Sequence, residues 1–155
     1  MPLVVVVRRP DPAKQRSEAI AIRDVMLAAR RAALPGLRDV HTDDEAIAFV
    51  REVVLGTQSV WLAECDNRIV GFAARKDGWL MHLYVAPEWS GRAIGQRLLE
   101  RVLSESPNLE LWTFARNAGA RRFYERNGFM AVEFGDGGGN EEGEADVRYV
   151  RAGRR

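Results

Sequence analysis

Hydrophobic positions change period several times along the chain, and each change marks an element. Leu3-Val4-Val5-Val6-Val7 is a β-branched run that reads as a first strand, broken by Pro10-Asp11-Pro12. From about Ser17, the residues Ile22, Val25, Met26 and Ala29 fall at i, i+3, i+4 and i+7. They predict a helix that Pro35-Gly36 ends. Thr42 and Glu45 form a capping box for a second helix with Ala46, Phe49, Val50 and Val53 on one face. The period then falls to two. Ser59–Cys65 and residues 69–75 flank the turn pair Asp66-Asn67, and Asp77-Gly78 precedes a strand at Trp79–Val85. The sheet is therefore expected to begin as an antiparallel meander. A helix over 91–106 carries Ile94, Leu98 and Val102, and a strand follows at Leu109–Phe114. A helix over 117–127 aligns Ala120, Phe123, Tyr124 and Asn127, with Gly128 as its C-terminal residue. Residues 129–134 return as a strand, 135–144 read as a flexible acidic loop, and 145–151 form a last strand before a basic tail.

A chain of 155 residues is expected to be a single domain, 1–155, burying roughly 70% of its unfolded surface. Lysine and arginine number 23 against 22 acidic residues, so no global charge points to nucleic acid. No apolar run approaches a membrane span. Cys65 is alone, which rules out an internal disulfide and makes a cytoplasmic location the expectation. With Trp61 and Ala63 on the same strand, it reads as a small core residue rather than a nucleophile.

The candidate chemistry lies where the strand of 79–85 runs through Pro87-Glu88-Trp89-Ser90-Gly91-Arg92-Ala93 into the helix at Ile94-Gly95-Gln96. Such a strand–loop–helix unit gathers free N–H groups at the positive end of a helix dipole and suits a phosphate or pyrophosphate. Gly91 and Gly95 admit a ligand close to the backbone, and Arg92 adds a charged donor. No Gly-Lys-Ser/Thr follows, and the glycine spacing is not that of a dinucleotide fold. A plain structural turn is the competing reading.

Downstream stands Asn117-Ala118-Gly119-Ala120-Arg121-Arg122-Phe123-Tyr124-Glu125-Arg126-Asn127-Gly128-Phe129. In this order and separation, the two stretches resemble the GNAT superfamily of acyl-CoA-dependent N-acetyltransferases. The family's loop, Q/R-x-x-G-x-G/A, reads here Ser90-Gly91-Arg92-Ala93-Ile94-Gly95. It departs at Ser90 and at Ala93, which replaces the first signature glycine. The family's helix, N-x-x-A-x-x-x-Y-E-x-x-G-F, is matched more closely. The resemblance implies an α/β (α+β) fold with a mixed, largely antiparallel, twisted sheet of about six or seven strands flanked by about four helices. It also implies acetyl-CoA as co-substrate and no metal. Acyl-CoA would then lie between two splayed strands, held by Leu83, Tyr84 and Val85 on one of them, by Ser90, Gly91, Arg92, Ala93, Ile94, Gly95 and Gln96 in the loop and first helical turn, and by Asn117 and Tyr124.

Acyl transfer to an amine needs a deprotonated nucleophile, a polarised carbonyl and a proton for the leaving thiolate. The resemblance implies that Tyr124 serves the thiolate; by periodicity alone it is a packed residue of an amphipathic helix. Asn117 reads equally as a helix N-cap. His82 is the candidate base because its ordinary pKa is near neutrality, and alternation places it on the face of Leu80 and Tyr84. A hydrogen-bonded core histidine, Glu110, or a water chain with no single base are the alternatives. Arg16, Arg23, Arg30 and Arg31 give the first helix a basic face, read as solvated or as a wall of the substrate entrance. His41 reads as an incidental loop residue. Glu141 and Glu142 offer a cationic amine an acidic approach. The expected function is direct acetyl transfer to a primary amine, small-molecule or peptide, in a ternary complex, with a homodimer implied by the resemblance. The alternative is a non-catalytic module that binds acyl-CoA or a protein partner.

Overall fold

The structure, a computed structural model, describes residues 3–37 and 41–153. Strand β1 spans Val6–Arg8, shorter than the expected run 3–7. Leu3 to Val5 lie outside the ladder, where the Val5 carbonyl accepts from Arg97 Nη1 at 2.6 Å. Helix α1 (Gln15–Ala33) buries Ile22, Val25 and Met26 of the predicted stripe and adds Ala19, while Ala29 is half-buried. Helix α2 opens at Asp43–Phe49, where Thr42 Oγ1 accepts from the Glu45 N–H at 3.2 Å. It passes through a π-helical turn, Val50–Val54, and closes at Leu55–Thr57. That wider turn shifts the phase of the apolar face. Ala46, Val50 and Val54 are buried, whereas Phe49 and Val53, expected beside them, are each 38% exposed.

The remaining elements are β2 (Ser59–Cys65), β3 (Arg68–Lys76), β4 (Trp79–Val85), α3 (Ile94–Glu105), β5 (Leu109–Phe114), α4 (Ala118–Arg126), β6 (Met130–Gly135) and β7 (Asp146–Arg151). The seven strands form one sheet in the order β1-β2-β3-β4-β5-β7-β6. All pairings are antiparallel except β4 with β5. Asp66 and Asn67 both take positive φ in the β2–β3 turn, as a tight hairpin requires.

Two apolar layers cover the sheet. β3 feeds both, its alternation broken where the pairing skips Val70: Val70 and Ala73 enter the layer beneath α3 and α4, and Phe72 and Ala74 the layer beneath α1 and α2. A strand buried on both faces in this way is the centre of the domain. Gly71 permits the approach of α3, since a Cβ there would lie 3.2 Å from Leu98 Cδ1 and 3.0 Å from the Tyr84 carbonyl oxygen.

Register in β4 departs from simple alternation. Pairing steps from Leu80↔Arg75 to His82↔Ala74, leaving Met81 as a bulge. Leu80 therefore packs in the layer of Leu83 and Val85, while His82 contacts Phe72 and Tyr84 on the other face. The expectation that His82 shares a face with Leu80 is corrected by this one extra residue.

Glu18 ties the N-terminal elements together. It is 3% exposed, takes Arg8 Nη2 at 2.7 Å and accepts the Asp11 N–H at 2.8 Å, while Arg8 also reaches Glu64 at 2.6 Å. Glu18→Ala should destabilise the protein by about 2 kcal/mol, less than a fully buried pair because Arg8 keeps Glu64. Urea unfolding measures it, and Glu18→Gln, which can keep the Asp11 bond, should cost less.

Candidate active site

The parallel pair β4–β5 opens the site. The two strands share a single residue pair, Trp79↔Glu110, with the Glu110 N–H bonded to the Gly78 carbonyl at 2.9 Å. Beyond it they part. β4 keeps its bonds to β3 as far as Gly71↔Val85, and β5 keeps its own to β7. One edge of β4 from Met81 to Val85 thus faces a wedge with no strand across it, and its peptide groups are free for another extended chain. A cavity of about 540 Å³ fills this wedge, lined by Leu83, Tyr84, Val85 and Ser90 on one side, Leu111 and Thr113 on the other, and Asn117, Ala120 and Tyr124 at its end.

The loop at the mouth is built as an anion cradle would be. Ser90 Oγ donates to the Pro87 carbonyl at 2.8 Å, closing the turn. Arg92 lies over Trp89, its guanidinium carbon 4.7 Å from the ring centroid. Gly91 has φ +77° and open space at its Cβ position. Ala93 occupies the left-handed region at φ 60° and precedes α3 without a side-chain cap, so the first N–H groups of the helix meet no capping side chain. Ala93 therefore adopts the conformation a glycine would prefer. Its methyl is exposed at the loop surface. Ala93→Gly should raise stability by about 0.5 kcal/mol, the released strain partly offset by unfolded-chain entropy. A higher urea midpoint with unchanged or tighter coenzyme A binding by calorimetry is the expected result. A Cβ at Gly95 would meet Phe123 and Val85 at 3.8 Å, an ordinary contact, so packing does not demand glycine there. Gln96 donates to Asn127 Oδ1 at 2.8 Å and joins α3 to α4, while Ile94 is core.

Asn117 caps α4, its Oδ1 accepting from the Ala120 N–H at 3.1 Å. This sets Tyr124, two turns on, against Phe123, Phe129 and Tyr149, with ring centroids 5.3, 5.4 and 6.3 Å away. Burial raises the Tyr124 phenol well above its ordinary pKa, and Tyr84 adds to the shift. Tyr84 is raised too, chiefly by burial. Both phenols stay protonated at neutral pH.

His82 lies between Phe49, Phe72 and Tyr84, with centroids 5.8, 6.1 and 6.1 Å from its ring. Its Nδ1 is buried and has no hydrogen-bond partner in the protein. Burial, with Arg30 nearby, lowers its pKa to about 4. It is a neutral imidazole at physiological pH. Glu110, the alternative base, accepts from Arg148 Nη1 at 2.6 Å and is not among the groups lining the wedge. Cys65 is buried in the core.

Several residues enter the site without a sequence signal strong enough to place them. Arg30 reaches across from α1 to Glu142 at 2.8 Å and lines the wedge, so the basic face of α1 is partly a wall of the site. Residues 135–144, expected to be flexible, fold around Asn140, which donates to the Glu144 carbonyl at 2.8 Å and to Asp146 at 3.0 Å. Glu144 bonds Arg116 at 2.6 Å, and Glu141 meets His41 Nε2 at 2.7 Å. The loop is thereby fastened over the wedge. Beneath it a second cavity of about 590 Å³ adjoins the first, sharing His82, Arg30 and Glu142.

The splayed central strands and the uncapped helix start beside them are the arrangement that the resemblance drawn from the sequence implies. A family model described as an acetyltransferase (GNAT) domain matches residues 56–131. The peptidyl-lysine N-acetyltransferase YiaC of Escherichia coli is 32% identical over 120 residues, covering 77% of this chain and 82% of that protein. The solution structure of apo YjaB from Escherichia coli superposes with a TM-score of 0.77 at 21% identity, over 97% of this chain and 99% of that one. The PaiA N-acetyltransferase of Thermoplasma acidophilum, solved with coenzyme A, gives a TM-score of 0.64 at 15% identity, over 96% and 99%. The chain belongs to the GNAT family of acetyltransferases and is an N-acetyltransferase that acts on amines. Among the described residues, no helix is long and apolar enough to cross a membrane.

Proposed function

We propose that this enzyme takes its acetyl group from acetyl-CoA and transfers it to a primary amine, foremost the side chain of a lysine in a peptide or protein, within a ternary complex. The observation that carries this reading is the wedge between β4 and β5, with Tyr124 and Asn117 at its end and His82 joining it to a second cavity. Two cavities that meet at His82, Arg30 and Glu142 suit a donor and an acceptor that enter from different sides. The lysine acceptor follows from the likeness to YiaC.

Acetyl-CoA would supply an activated thioester. The free edge of β4 at Leu83 and Val85 would hold its arm and direct an N–H at the carbonyl oxygen. Gly91, Arg92, Ala93 and the first turn of α3 would hold its phosphates. The Tyr124 hydroxyl would donate a hydrogen bond to the departing sulfur. Neutral His82 would accept a hydrogen bond from the incoming amine through a ring nitrogen; with a pKa of about 4 it orients the amine better than it stores its proton. The amine proton then leaves through the acid-lined second cavity. A homodimer has a candidate face in β6, an outer strand that exposes Met130, Val132 and Phe134. Sedimentation equilibrium tests it.

The function is tested by incubating the protein with acetyl-CoA and lysine peptides and following free thiol and peptide mass together. Thiol release matched by a gain of one acetyl group is expected. Saturable coenzyme A binding without transfer to any amine would replace the enzyme with a binding module.

A further inference from the structure

The second cavity carries a charge pattern that the transfer of one amine does not require. Its walls are apolar at Met26, Leu27 and Phe49, and its acidic groups are Glu45, Glu52, Glu141 and Glu142. Glu142 is matched by Arg30 at 2.8 Å. Glu45 and Glu141 come from opposite sides, α2 and the 135–144 loop, and converge on one cation: His41 Nδ1 sits 3.0 Å from Glu45 and Nε2 2.7 Å from Glu141. All three side chains are more than half exposed. Such ion pairs are weak, so an incoming cation displaces the imidazolium at small cost. At the other end of the cavity stands the imidazole of His82, which also lines the first cavity, and the reacting amine would lie there. The space between is an apolar channel with an imidazole at its inner end and paired carboxylates at its mouth.

We propose that Glu45 and Glu141 dock a second positive charge of the acceptor, so that the preferred substrate is dicationic: a primary ammonium on an aliphatic stem, with another cation a stem's length away. His41 holds that place until the acceptor arrives. The inference rests on the acetyltransferase reading above and deepens it. Two sources present this chemistry, a small α,ω-diamine and a lysine beside a basic residue.

The test measures kcat/KM with acetyl-CoA for α,ω-diamines against 1-aminoalkanes of equal length, and for lysine peptides with Arg, Ala or Glu next to the lysine. Dicationic acceptors should be favoured roughly tenfold, the worth of two exposed ion pairs, and the preference should shrink in about 0.5 M salt. In the double variant Glu45→Gln, Glu141→Gln the ratio should fall to about one; glutamine at 45 retains the capping box and hence the start of α2. A preference among diamines alone identifies a small acceptor, and one among peptides alone a protein acceptor. Transfer to monoamines and dicationic acceptors at equal rates, or a ratio that survives both the variant and salt, overturns the proposal and leaves the acetyltransferase intact. Transfer to no amine at all overturns the acetyltransferase reading itself.

Discussion

Tyr124→Phe should lower kcat about a hundredfold and leave the dissociation constant for coenzyme A within twofold. The ring is held by Phe123, Phe129 and Tyr149, and phenylalanine keeps those contacts, so the fold should tolerate the loss of one hydroxyl. That hydroxyl is buried, and its pKa is raised by burial first and by Tyr84 second. A phenol above its ordinary value near 10 does not readily yield its proton to a thiolate whose conjugate acid has a pKa of about 8.5. What it supplies is a hydrogen bond that strengthens as charge gathers on sulfur, in surroundings where water does not compete. Loss of one such donor typically costs ~10²–10³ in rate. Steady-state kinetics paired with calorimetry decide the matter. An unchanged kcat would make Tyr124 a packing residue, as its place on an amphipathic helix first suggests; a loss of coenzyme A affinity would make it a binding residue.

The sequence makes the strand–loop–helix unit and the Asn117 helix legible because both are local. Turn glycines, a cap and an apolar period write them within a dozen residues. Asn117 does cap α4 and Phe123, Tyr124 and Asn127 do share a face. The run of strands from Ser59 to Val85 was equally readable, each hairpin being signalled by an Asp-Asn or Asp-Gly pair. Three features were not. The bulge at Met81 is one unpaired residue in a ladder and reverses which face His82 meets. The π-helical turn at Val50–Val54 moves the apolar stripe from Phe49 and Val53 to Val54, although the sequence there is an unbroken helical pattern. The fastening of residues 135–144 depends on Arg30, His41 and Arg116, all distant in sequence from the glutamates they meet. A Gly- and Glu-rich composition describes the unfolded tendency of such a segment, and long-range ion pairs and Asn140 decide its folded one.

The splay of β4 from β5 has a similar origin. Parallel neighbours require a crossover, here α3, and the point at which they separate depends on how α4 and the last hairpin pack rather than on either strand's residues. Leu109 and Leu111 hold β5 in the core near Trp79, while Thr113 and Phe114 lie at the wedge. A cleft made by withheld pairing leaves no pattern of its own in the sequence.

The chain has two histidines, and they should titrate on opposite sides of pH 6.5. His41 is raised by its hydrogen bonds to Glu45 and then Glu141. His82 is lowered to about 4 by burial and then by Arg30. Between those limits the unfolded chain binds a proton at position 82 that the folded protein refuses. Stability therefore falls as pH drops below 6.5 and levels off below about 4. The difference, 2.5 pKa units, amounts to about 3 kcal/mol at the low end. His82→Gln removes the titrating group and should flatten that part of the pH–stability curve. The same shift keeps His82 unprotonated over the whole physiological range. Proton NMR of the imidazole resonances from pH 8 to 4 gives both values directly. If both histidines titrate together near 6.5, His82 is solvated, the acid slope belongs to other groups, and its place as the polar junction between the two cavities is lost.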